Sequence, residues 1–463
     1  MTSSDRRKHA IVIGGSMAGL LAARVLSEHY QRVTLVERDT FPCMDENRRG
    51  VPQGRHTHGL LASGRQAIER LFPGISDDLI RRGAVPADIV RDSRWFMEGG
   101  YHTKFTSGLD GLLMSRPFLE CTVRRFLQRL PNVETRDNLA VEGLCSTADN
   151  TQVTGIQAGG ESLWADLVVD TTGRGSHSPR WLESMGYPKP AEDKVEIALS
   201  YTTRFFHRRK EDLDGDLAAI IAPTPCGKRG GVILAQEGDR WTVTLLSHFT
   251  AGAPPELPGF IDFAAKLAAP FIHEIVRRAE PLGDPSVTRF PASTRRRYEK
   301  LNRFPGGYLV FGDAISSFNP IYGQGMSVAA LEAEQLGSAL AEGDTDIWRP
   351  FFARAAKVID IPWSIAVGND LRMPEVTSLR KNPAVNLINW YMSKLHKAAH
   401  RDPVASLAFH QVANLLAPPQ SVLKPGIVAR VLAQNLWPHS CAPRDFSRTS
   451  GRFKANGEVL RQP

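Results

Sequence analysis

The stretch HAIVIGGSMAG, residues 9–19, contains the strongest signal for the fold. Its first five residues are mostly apolar and predict a short buried strand that runs directly into a glycine-rich turn. In the pattern GxGxxG the glycines fall at Gly14 and Gly19, with Ser16 at the middle position. A small middle residue lets the backbone approach a pyrophosphate, and the last glycine lets helix and strand pack closely. The stretch therefore predicts a strand, a turn and a helix whose N-terminus can bind phosphate groups.

The residues that follow strengthen this interpretation. Val33–Val36 predicts a second strand, and Glu37 ends it 18 residues after Gly19. A strand, a glycine turn, a helix and a strand within about 30 residues form a βαβ unit with parallel strands. A carboxylate at the end of the second strand can accept hydrogen bonds from the hydroxyls of an adenosine ribose. We predict dinucleotide binding. An ordinary βα turn is the alternative, and a hydrolase GxSxG elbow fails because its fifth position is Ala18.

A second glycine-rich turn occurs about 300 residues later. An apolar strand, Tyr308–Phe311, leads to Gly312 and Asp313, and Pro320, Gly323, Gly325 and Met326 then lead into a helix. An acid at a strand end can bind a sugar-like hydroxyl, and the second helix N-terminus can face an anion or an electron-rich ring. Two such turns suit a long cofactor with an adenosine end and a ribitol–flavin end.

Between and after these turns the pattern changes. Period-two alternation predicts antiparallel strands, and periodic apolar residues near the C-terminus predict helices. The strand segments are 195–206, 231–235, 240–246 and 285–290, and the helical segments are 346–360, 363–372, 384–399, 403–416 and 425–436. We therefore predict a nucleotide-binding domain built from separate segments.

Composition excludes several other classes of protein. The 463 residues carry a net charge of +8, but the basic residues are scattered, so we expect no nucleic-acid binding. The densest cluster, Arg295–Arg297, is interpreted as part of a solvated surface. No apolar run approaches the roughly 18 residues of a membrane span, so we expect no integral membrane association.

Cysteine and histidine usage leads to two further expectations. The five cysteines are widely spaced with no CxxC, which favours reduced thiols and a cytoplasmic location. His56 and His58 form an HxH pair without further ligands nearby in sequence, so we predict no metal site there.

Taken together, the motifs resemble FAD-dependent monooxygenases of the para-hydroxybenzoate hydroxylase type. The resemblance is closer to a bacterial branch that contains the monensin and lasalocid polyether epoxidases. It covers about residues 10–370 and little of the last ninety residues. It is carried by RRGVPQGRHTHGLL (48–61), SRPFLECTVR (115–124), DTTGRGS (170–176) and FGDAISSFNPIYGQGMS (311–327).

The resemblance implies an α/β fold: a multi-segment, Rossmann-like FAD-binding domain with an antiparallel substrate-domain sheet and a helical C-terminal region. The implied FAD-binding segments are 1–195 and 291–342, separated by an antiparallel substrate-binding sheet over 196–290. A helical region over 343–440 and a polar tail over 441–463 follow.

The resemblance also implies a set of cofactor-binding residues. Gly14, Gly15, Ser16 and Gly19, with Ala18, would hold the pyrophosphate, Glu37 the adenosine ribose and Arg38 the adenine. Arg48 and Arg116 would reach the phosphate or ribitol side of the flavin, Asp313 the ribitol, and Gly323, Gly325 and Met326 the ring, with Asp170, Gly173 and Pro320 completing the site.

One position departs from the family pattern and leaves the reductant open. Hydroxylases of the broader group carry an Asp-Gly pair linked to flavin and NADPH contacts, whereas this chain has Thr172-Gly173. The flavin would be reduced by NAD(P)H directly or through a separate flavin reductase.

The implied reaction is insertion of oxygen from O2, through a peroxyflavin, into a small apolar secondary-metabolite substrate. A phenol needs a nearby base and an alkene does not, and the sequence marks no base or other catalytic residue. We therefore predict epoxidation of alkenes in a polyketide or polyene, as in antibiotic biosynthesis. An aromatic hydroxylase and a non-redox cyclase that keeps FAD structurally remain the alternatives.

Overall fold

The computed structural model of the protein describes residues 7–42, 45–343, 346–378 and 383–436, and the predicted polar tail, 441–463, lies outside them. Its strands are β1 (Arg7–Ile13), β2 (Tyr30–Val36), β3 (Val85–Asp88), β4 (Ser93–Met97), β5 (Gly100–Tyr101), β6 (Asp110–Leu113), β7 (Val133–Arg136), β8 (Val141–Ser146), β9 (Val153–Ala158), β10 (Glu161–Trp164), β11 (Leu167–Asp170), β12 (Glu192–His207), β13 (Ala218–Ile221), β14 (Arg229–Gln236), β15 (Arg240–His248), β16 (Pro281–Arg296), β17 (Tyr308–Val310) and β18 (Ser316–Ser317). Its helices are α1 (Met17–His29), α2 (Ala62–Leu71), α3 (Ile75–Arg81), α4 (Arg116–Leu127), α5 (Ser178–Ser184), α6 (Leu257–Ala264), α7 (Phe271–Val276), α8 (Gly325–Ala341), α9 (Trp348–Asp370), α10 (Pro383–Ala399), α11 (Pro403–Ala413) and α12 (Pro425–Leu436).

A five-stranded parallel sheet, in the order β17-β11-β1-β2-β7, forms the centre of the first unit. Residues 10–13 of β1 are buried, as expected for a parallel strand covered on both faces. Helix α1 connects β1 to β2 and packs against α2, α4 and α8, while β9 of the three-stranded sheet packs against β11. This arrangement confirms the predicted α/β class with a Rossmann-like domain assembled from several segments.

The register of this sheet brings distant turns to one edge. Ile13, the last residue of β1, pairs with Val36 on one side and with Asp170 on the other, and Asp170 pairs with Val310. All these strands run in the same direction, so the turns that follow them lie together at the carboxyl edge. That edge is where open α/β sheets bind ligands.

An eight-stranded sheet, in the order β18-β16-β12-β15-β14-β13-β4-β5, covers this edge. It differs from the predicted antiparallel segment 196–290 in three ways. Strand β12 begins before residue 196, β4 and β5 come from the segment assigned to FAD binding, and β16 continues past residue 290. Strand β16 continues to Arg296 because its backbone pairs with β12 and β18. Arg295 is 1% exposed and bonds to Asp360, so the interpretation of Arg295–Arg297 as a solvated surface was wrong.

Helices α9–α12 form the C-terminal region, confirming the predicted helical character of that region. The predicted break between 360 and 363 is wrong, because α9 runs through Pro362. Proline removes one backbone donor, but the buried side chains of Ile359 and Trp363 hold the helix against the core on both sides of it. In the described part of the chain, none of the helices combines the length and apolarity needed to cross a membrane.

Candidate functional site

A cavity of about 1260 Å³ lies between the carboxyl edge of the parallel sheet and the eight-stranded sheet. We call one side the turn wall, and it contains Gly14, Ser16, Ala18, Glu37, Arg38, Arg116, Gly173, Asp313, Pro320, Gly323, Gly325 and Met326. We call the other side the apolar wall, and it is formed by strands of the eight-stranded sheet together with α9, α10 and α11. Pockets for one small ligand occupy about 300–1,000 Å³, so this cavity can hold a large cofactor and part of a second molecule.

The first glycine turn has the shape that its sequence requires. Gly14 adopts φ +103°, and its amide donates to the carbonyl of Val36 at 2.8 Å. A Cβ atom at Gly19 would lie 1.8 Å from the carbonyl oxygen of Gly14, so only glycine fits there. No side chain caps the N-terminus of α1, which begins at Met17 in the cavity wall. Its first amides and the positive end of its dipole are therefore oriented to receive an anion.

Glu37 is held in place by the turn beside it. Its Oε2 accepts the amide of Gly15 at 2.7 Å and lies 2.9 Å from Nη1 of Arg48. Arg48 also bonds to Glu120 and donates to the carbonyl of Gly15 at 3.1 Å. Burial acts to lower the pKa of Arg48, but the carboxylates of Glu120 and Glu37 outweigh it and raise that pKa. The carboxylate of Glu37 therefore faces the cavity from a rigid, charge-balanced support.

Arg48 does not have the place that the resemblance implied for it. Its side chain is 4% exposed and lies behind the turn wall, so we assign it to positioning Glu37 and not to contacting a ligand. Gly15 and Gly19 also lie behind the wall, where they shape the turn. Glu120, which the sequence analysis missed, lies one turn into α4 within the SRPFLECTVR segment, but no local pattern indicates its partner.

Arg116 provides a positive charge on the turn wall. Its Nη2 donates to Oγ of Ser16 at 2.8 Å, and its Nη1 lies 3.4 Å from Nε2 of His58. Burial and the charge of Arg116 lower the pKa of His58 to about 3, so His58 is neutral and can accept this bond. Exposed Arg38 lines the same wall, next to Glu37.

The second glycine turn meets the first one at this wall. Gly312 adopts φ +67°, and a Cβ atom there would lie 2.8 Å from the Cβ of Ala18. A Cβ atom at Gly325 would lie 3.7 Å from Oδ1 of Asp313, and one at Gly173 would lie 3.8 Å from the Cβ of Asp313. The fold thus joins three segments that the sequence analysis had selected separately.

Asp313 projects into the cavity. It forms no hydrogen bond or ion pair with any residue in the described ranges, and its side chain is accessible from the cavity. Desolvation by the surrounding protein raises the pKa of its carboxyl, and the charges of Arg116 and Arg174 oppose that shift. Behind it, Glu332 on α8 accepts the amide of Gly312 at 3.0 Å, and burial raises the pKa of Glu332 to about 8. The sequence analysis missed Glu332, since a single acid within a helix carries no pattern.

Asp170 has a different place from the one predicted. It is fully buried and does not line the cavity. Its Oδ1 accepts the amide and the hydroxyl of Thr172 at 2.9 and 2.6 Å, and its Oδ2 accepts the hydroxyls of Ser176 and Ser178. Because both oxygens are occupied, Asp170 supports the turn that contains Gly173 and has no free atom for a ligand.

The apolar wall is lined mainly by hydrocarbon and aromatic side chains. Its members include Tyr201, Val232, Leu246, Phe290, Met373, Met392, Phe409 and Val412. His56 lies between this wall and the turns, and its ring nitrogens bond to Thr203 at 2.8 Å and Thr288 at 2.7 Å. Burial lowers the pKa of His56 to about 4. Within the ranges that the structure describes, no three His, Cys, Asp or Glu residues are arranged to hold a metal ion.

A buried acid at the end of α9 interrupts the apolar wall. Asp370, at the end of α9, is 2% exposed. Its Oδ1 accepts bonds from Nδ2 of Asn319 at 2.8 Å and from the hydroxyl of Tyr322 at 2.9 Å, whereas its buried Oδ2 has no hydrogen-bond partner. Burial raises the pKa of Asp370 to about 7. The sequence analysis missed this residue because nothing around the end of α9 marks it.

Comparison with known proteins places the chain in a family. No protein-family model matches the sequence. Protein Rv3254 of Mycobacterium tuberculosis is 34% identical over 456 residues, which cover 93% of this chain and 94% of that protein. The chain belongs to the family of Protein Rv3254. A shorter similarity, 25% identity over 174 residues, covers 36% of the chain and 25% of the chloroplastic zeaxanthin epoxidase of rice.

Solved structures show the same fold across most of the chain. A flavoprotein/dehydrogenase from Cytophaga hutchinsonii superimposes with a TM-score of 0.66 at 16% identity, covering 93% of this chain and 98% of that one. The p-nitrophenol 4-monooxygenase PnpA of Pseudomonas putida superimposes with a TM-score of 0.62 at 19% identity, covering 89% and 99%. This chain therefore has the fold of FAD-dependent monooxygenases.

Proposed function

We propose that the protein is an FAD-dependent monooxygenase that inserts one oxygen atom of O2 into an apolar secondary metabolite. We further propose that the reaction is epoxidation of carbon–carbon double bonds in a polyketide or polyene. The observation that carries the proposal is that one cavity, of about 1260 Å³, joins two glycine turns to an apolar wall. The partial similarity to a zeaxanthin epoxidase supports the choice of epoxidation.

The residues of the turn wall fit FAD by their chemistry. Arg116 and the N-terminus of α1, which no side chain caps, suit the pyrophosphate, and the carboxylate of Glu37 suits the adenosine ribose. Asp313, an accessible acid without a described protein partner, suits the ribitol hydroxyls. The turn from Gly323 to Met326 brings backbone close to the space left for the ring. Reduced FAD supplies the electrons that activate O2 when it is bound.

The chain itself orients the substrate and excludes water. The apolar wall removes water from the reacting region, which limits unproductive release of peroxide. An alkene supplies its own electrons for oxygen transfer, so epoxidation needs no protein nucleophile. This agrees with the two histidines near the turns, His56 and His58, whose pKa values are lowered to about 4 and about 3, so that both are neutral.

Aromatic hydroxylation is the second candidate, and Asp370 favours it. A phenol is activated when a nearby group accepts its proton, and Asp370 is an acid of the cavity wall whose pKa burial raises to about 7. A non-redox cyclase would differ from both, because it would form product while its flavin stayed oxidised.

The cofactor and the reaction can be tested on one preparation. The flavin released by denaturing the purified protein should be FAD, and release of FMN or no flavin would refute the proposal. Reduced enzyme mixed with labelled O2 and a panel of polyenes and phenols should give a product with one labelled oxygen atom. Product formed without O2 would instead favour the cyclase.

The reductant is proposed separately. Thr172 replaces the acid of related hydroxylases, and the chain carries no second dinucleotide fingerprint. We therefore propose slow direct reduction by NAD(P)H and supply of electrons by a flavin reductase. Stopped-flow bleaching of the flavin by NADPH measures this rate, and fast, saturable bleaching without a partner protein would contradict it.

A further inference from the structure

We propose that the C-terminal helices bind the surface of an anionic lipid bilayer, with α10 lying flat in the membrane interface. We call this surface the α10 face, and it consists of Leu387, Trp390, Lys394 and Lys397 on α10 with Leu432 and Leu436 on α12. Its ligand is a layer of anionic phospholipid headgroups with the acyl chains beneath them. Entry of an apolar substrate from that lipid rests on the proposed function, whereas binding of the bilayer does not.

Exposed apolar side chains are concentrated in this part of the chain. Eight of the eleven large apolar side chains that are exposed in the described ranges lie within residues 383–436. Single exposed apolar residues are ordinary on a protein surface, but a cluster of them marks an interaction site. Leu387 and Trp390 are two of these residues, and they lie on the same side of α10 because they are three residues apart.

Helix α12 extends the apolar surface beside α10. Nδ2 of Asn435 donates to the carbonyl oxygen of Lys394 at 3.0 Å, which holds the end of α12 against the middle of α10. Leu432 and Leu436 are exposed and lie one turn apart on α12. The two helices therefore present their apolar side chains next to each other.

The charge of this region is complementary to an anionic surface. Asp402 is the one acid among residues 383–436, and it is buried and bonded to Arg430 at 3.1 Å. Exposed Lys397 and half-buried Lys394 follow Trp390 on the same side of α10. Basic residues beside exposed apolar ones are typical of helices that lie on anionic membranes. The basic residues of the segment are Lys394, Lys397, Arg401, Lys424 and Arg430.

The composition of the α10 face favours a membrane interface over a protein partner. Tryptophan is enriched at the headgroup level of bilayers, and Nζ of Lys394 lies 6.0 Å from the centre of the Trp390 ring. Lysine is depleted in the contact surfaces between proteins, whereas at a membrane its charge attracts anionic lipid. Helix α10 is not among the candidates for crossing a membrane, so it would lie on the bilayer and not span it.

The cavity reaches the protein surface beside the α10 face. Ile388 on α10 and Leu423, in the short 3-10 helix Pro419–Leu423, both line the cavity and are more than half exposed. The hydroxyl of Tyr391 donates to the carbonyl of Val422 at 2.6 Å, which joins α10 to this short helix. An apolar molecule can therefore pass from the acyl chains to the apolar wall with little exposure to water.

Co-sedimentation with vesicles tests the α10 face on the full-length holoenzyme. Vesicles of equal parts phosphatidylglycerol and phosphatidylcholine should bind the protein more tightly than vesicles of phosphatidylcholine alone. Trp390→Ser should lower the partition coefficient about tenfold, the effect of one large apolar side chain. Lys394→Gln and Lys397→Gln should each lower it about fivefold at low salt, and less at high salt, where charges are screened.

The chain offers matched controls for both kinds of substitution. Trp164 on β10 is 63% exposed, compared with 51% for Trp390, and it lies outside the α10 face. Lys210 and Lys300 are exposed lysines in other parts of the fold. Trp164→Ser, Lys210→Gln and Lys300→Gln should therefore bind the anionic vesicles as tightly as wild type.

Brominated lipid identifies the side chain that enters the bilayer. Bromine atoms on the acyl chains quench the fluorescence of a tryptophan that lies beside them. Trp390→Phe keeps a large apolar side chain, so this variant should still bind, but most of the quenching should disappear. Trp164→Phe should keep both the binding and the quenching.

Several results would overturn the proposal. Failure of wild type to bind anionic vesicles is one, and equal loss of binding in Trp390→Ser and Trp164→Ser is another. Quenching that persists in Trp390→Phe would place a different surface on the membrane. Size-exclusion chromatography tests the main alternative, because a dimer that Trp390→Ser dissociates would assign the α10 face to a second copy of the chain. These substitutions change exposed side chains, and unchanged far-UV circular dichroism confirms that the variants are folded.

Entry of substrate can be separated from binding of the membrane. Under the proposed function, Trp390→Ser should slow turnover of a polyene that is supplied in the anionic vesicles. Turnover of the same polyene in dilute solution should be unchanged, since Trp390 does not line the cavity. Equal turnover from vesicles by wild type and Trp390→Ser would overturn entry through this face. Absence of bound FAD would refute the proposed function but would leave vesicle binding intact.

Discussion

The two walls of the cavity are built in different ways. On the turn wall, backbone amides, glycines and a network of Arg48, Glu37 and Glu120 determine the shape, and short local motifs encode it. On the apolar wall, side chains from the eight-stranded sheet and from α9–α11 meet without any shared motif, and Asp370 is a buried acid among them. Under the proposed function, the first wall serves the cofactor and the second serves the substrate.

The strongest test of the turn wall is Gly19→Ala. The added methyl group would lie 1.8 Å from the carbonyl of Gly14, so the turn must move or the helix must shift. Overpacking of this kind lowers the free energy of unfolding by about 1–3 kcal/mol or more. We therefore expect nearly complete loss of FAD and a lower melting temperature. Gly143→Ala is the matched control, because a Cβ atom there meets nothing within 4 Å. Flavin content and thermal unfolding measure both, and normal flavin content in Gly19→Ala would contradict the assignment.

Asp313→Ala tests the part of the turn wall that projects toward the substrate. Removing the acid should release the ribitol side of FAD, and a displacement of about 1 Å can cost about a hundredfold in rate. Because Asp313 bonds to no residue in the described ranges, we expect the fold to be unchanged. Flavin content, product formation and far-UV circular dichroism should be measured on one preparation. Wild-type turnover in this variant would leave Asp313 with a structural role only.

Glu37→Ala should have a smaller effect, confined to the adenosine end. It removes the proposed acceptor of the ribose hydroxyls and leaves the Gly15 amide without its partner. Loss of such bonds costs about 1–3 kcal/mol, so FAD should be retained roughly ten- to hundredfold less tightly. Ultrafiltration with flavin quantification measures the retention, and Glu37→Gln, which keeps an acceptor oxygen, should be intermediate. Unchanged retention in Glu37→Ala would argue against ribose binding.

The smallest effect is expected at a histidine cluster of the apolar wall, formed by His102, His396 and His410, of which His396 lines the cavity. His102 follows β5, and its ring nitrogens lie 3.3 Å from His396 on α10 and 3.5 Å from His410 on α11. Burial is the main cause that lowers the pKa of all three, to about 3 for His396 and His410. The neutral rings hold the C-terminal helices against the eight-stranded sheet.

The sign of the pH dependence follows from these shifts. The unfolded chain binds protons near pH 6.5 and the folded chain only at lower pH, so stability is full above 6.5 and is lost as pH falls. Well below pH 6.5, where the unfolded chain is protonated and the folded chain is not, each histidine should contribute a slope of about 1.4 kcal/mol per pH unit. Denaturant unfolding at about one and about two pH units below the unfolded pKa measures this slope, which His410→Gln should reduce and exposed His207→Gln should not. Equal slopes in wild type and His410→Gln would contradict the interpretation.

Sequence patterns were informative where a residue acts through backbone geometry. Gly14, Gly19 and Gly312 were selected from motifs, and the structure puts each at a positive φ or a close approach. Arg48 and Asp170 were selected from the family resemblance but lie behind the turn wall, because their charged groups are bonded to other residues of the protein. A motif identifies the segment that forms a site, but it does not determine which way a long side chain points.

The sequence by itself determined the βα turn at Gly14–Gly19, the acid at the end of the second strand and the α/β class. Turn conformation and apolar runs are local properties, so neighbouring residues suffice to specify them. Only the tertiary structure decided that β4 and β5 join the eight-stranded sheet, that Glu120 and Glu332 support the two turns, and that the acid Asp370 is buried in the apolar wall. Those properties depend on burial and on partners tens to hundreds of residues away, which no local pattern records.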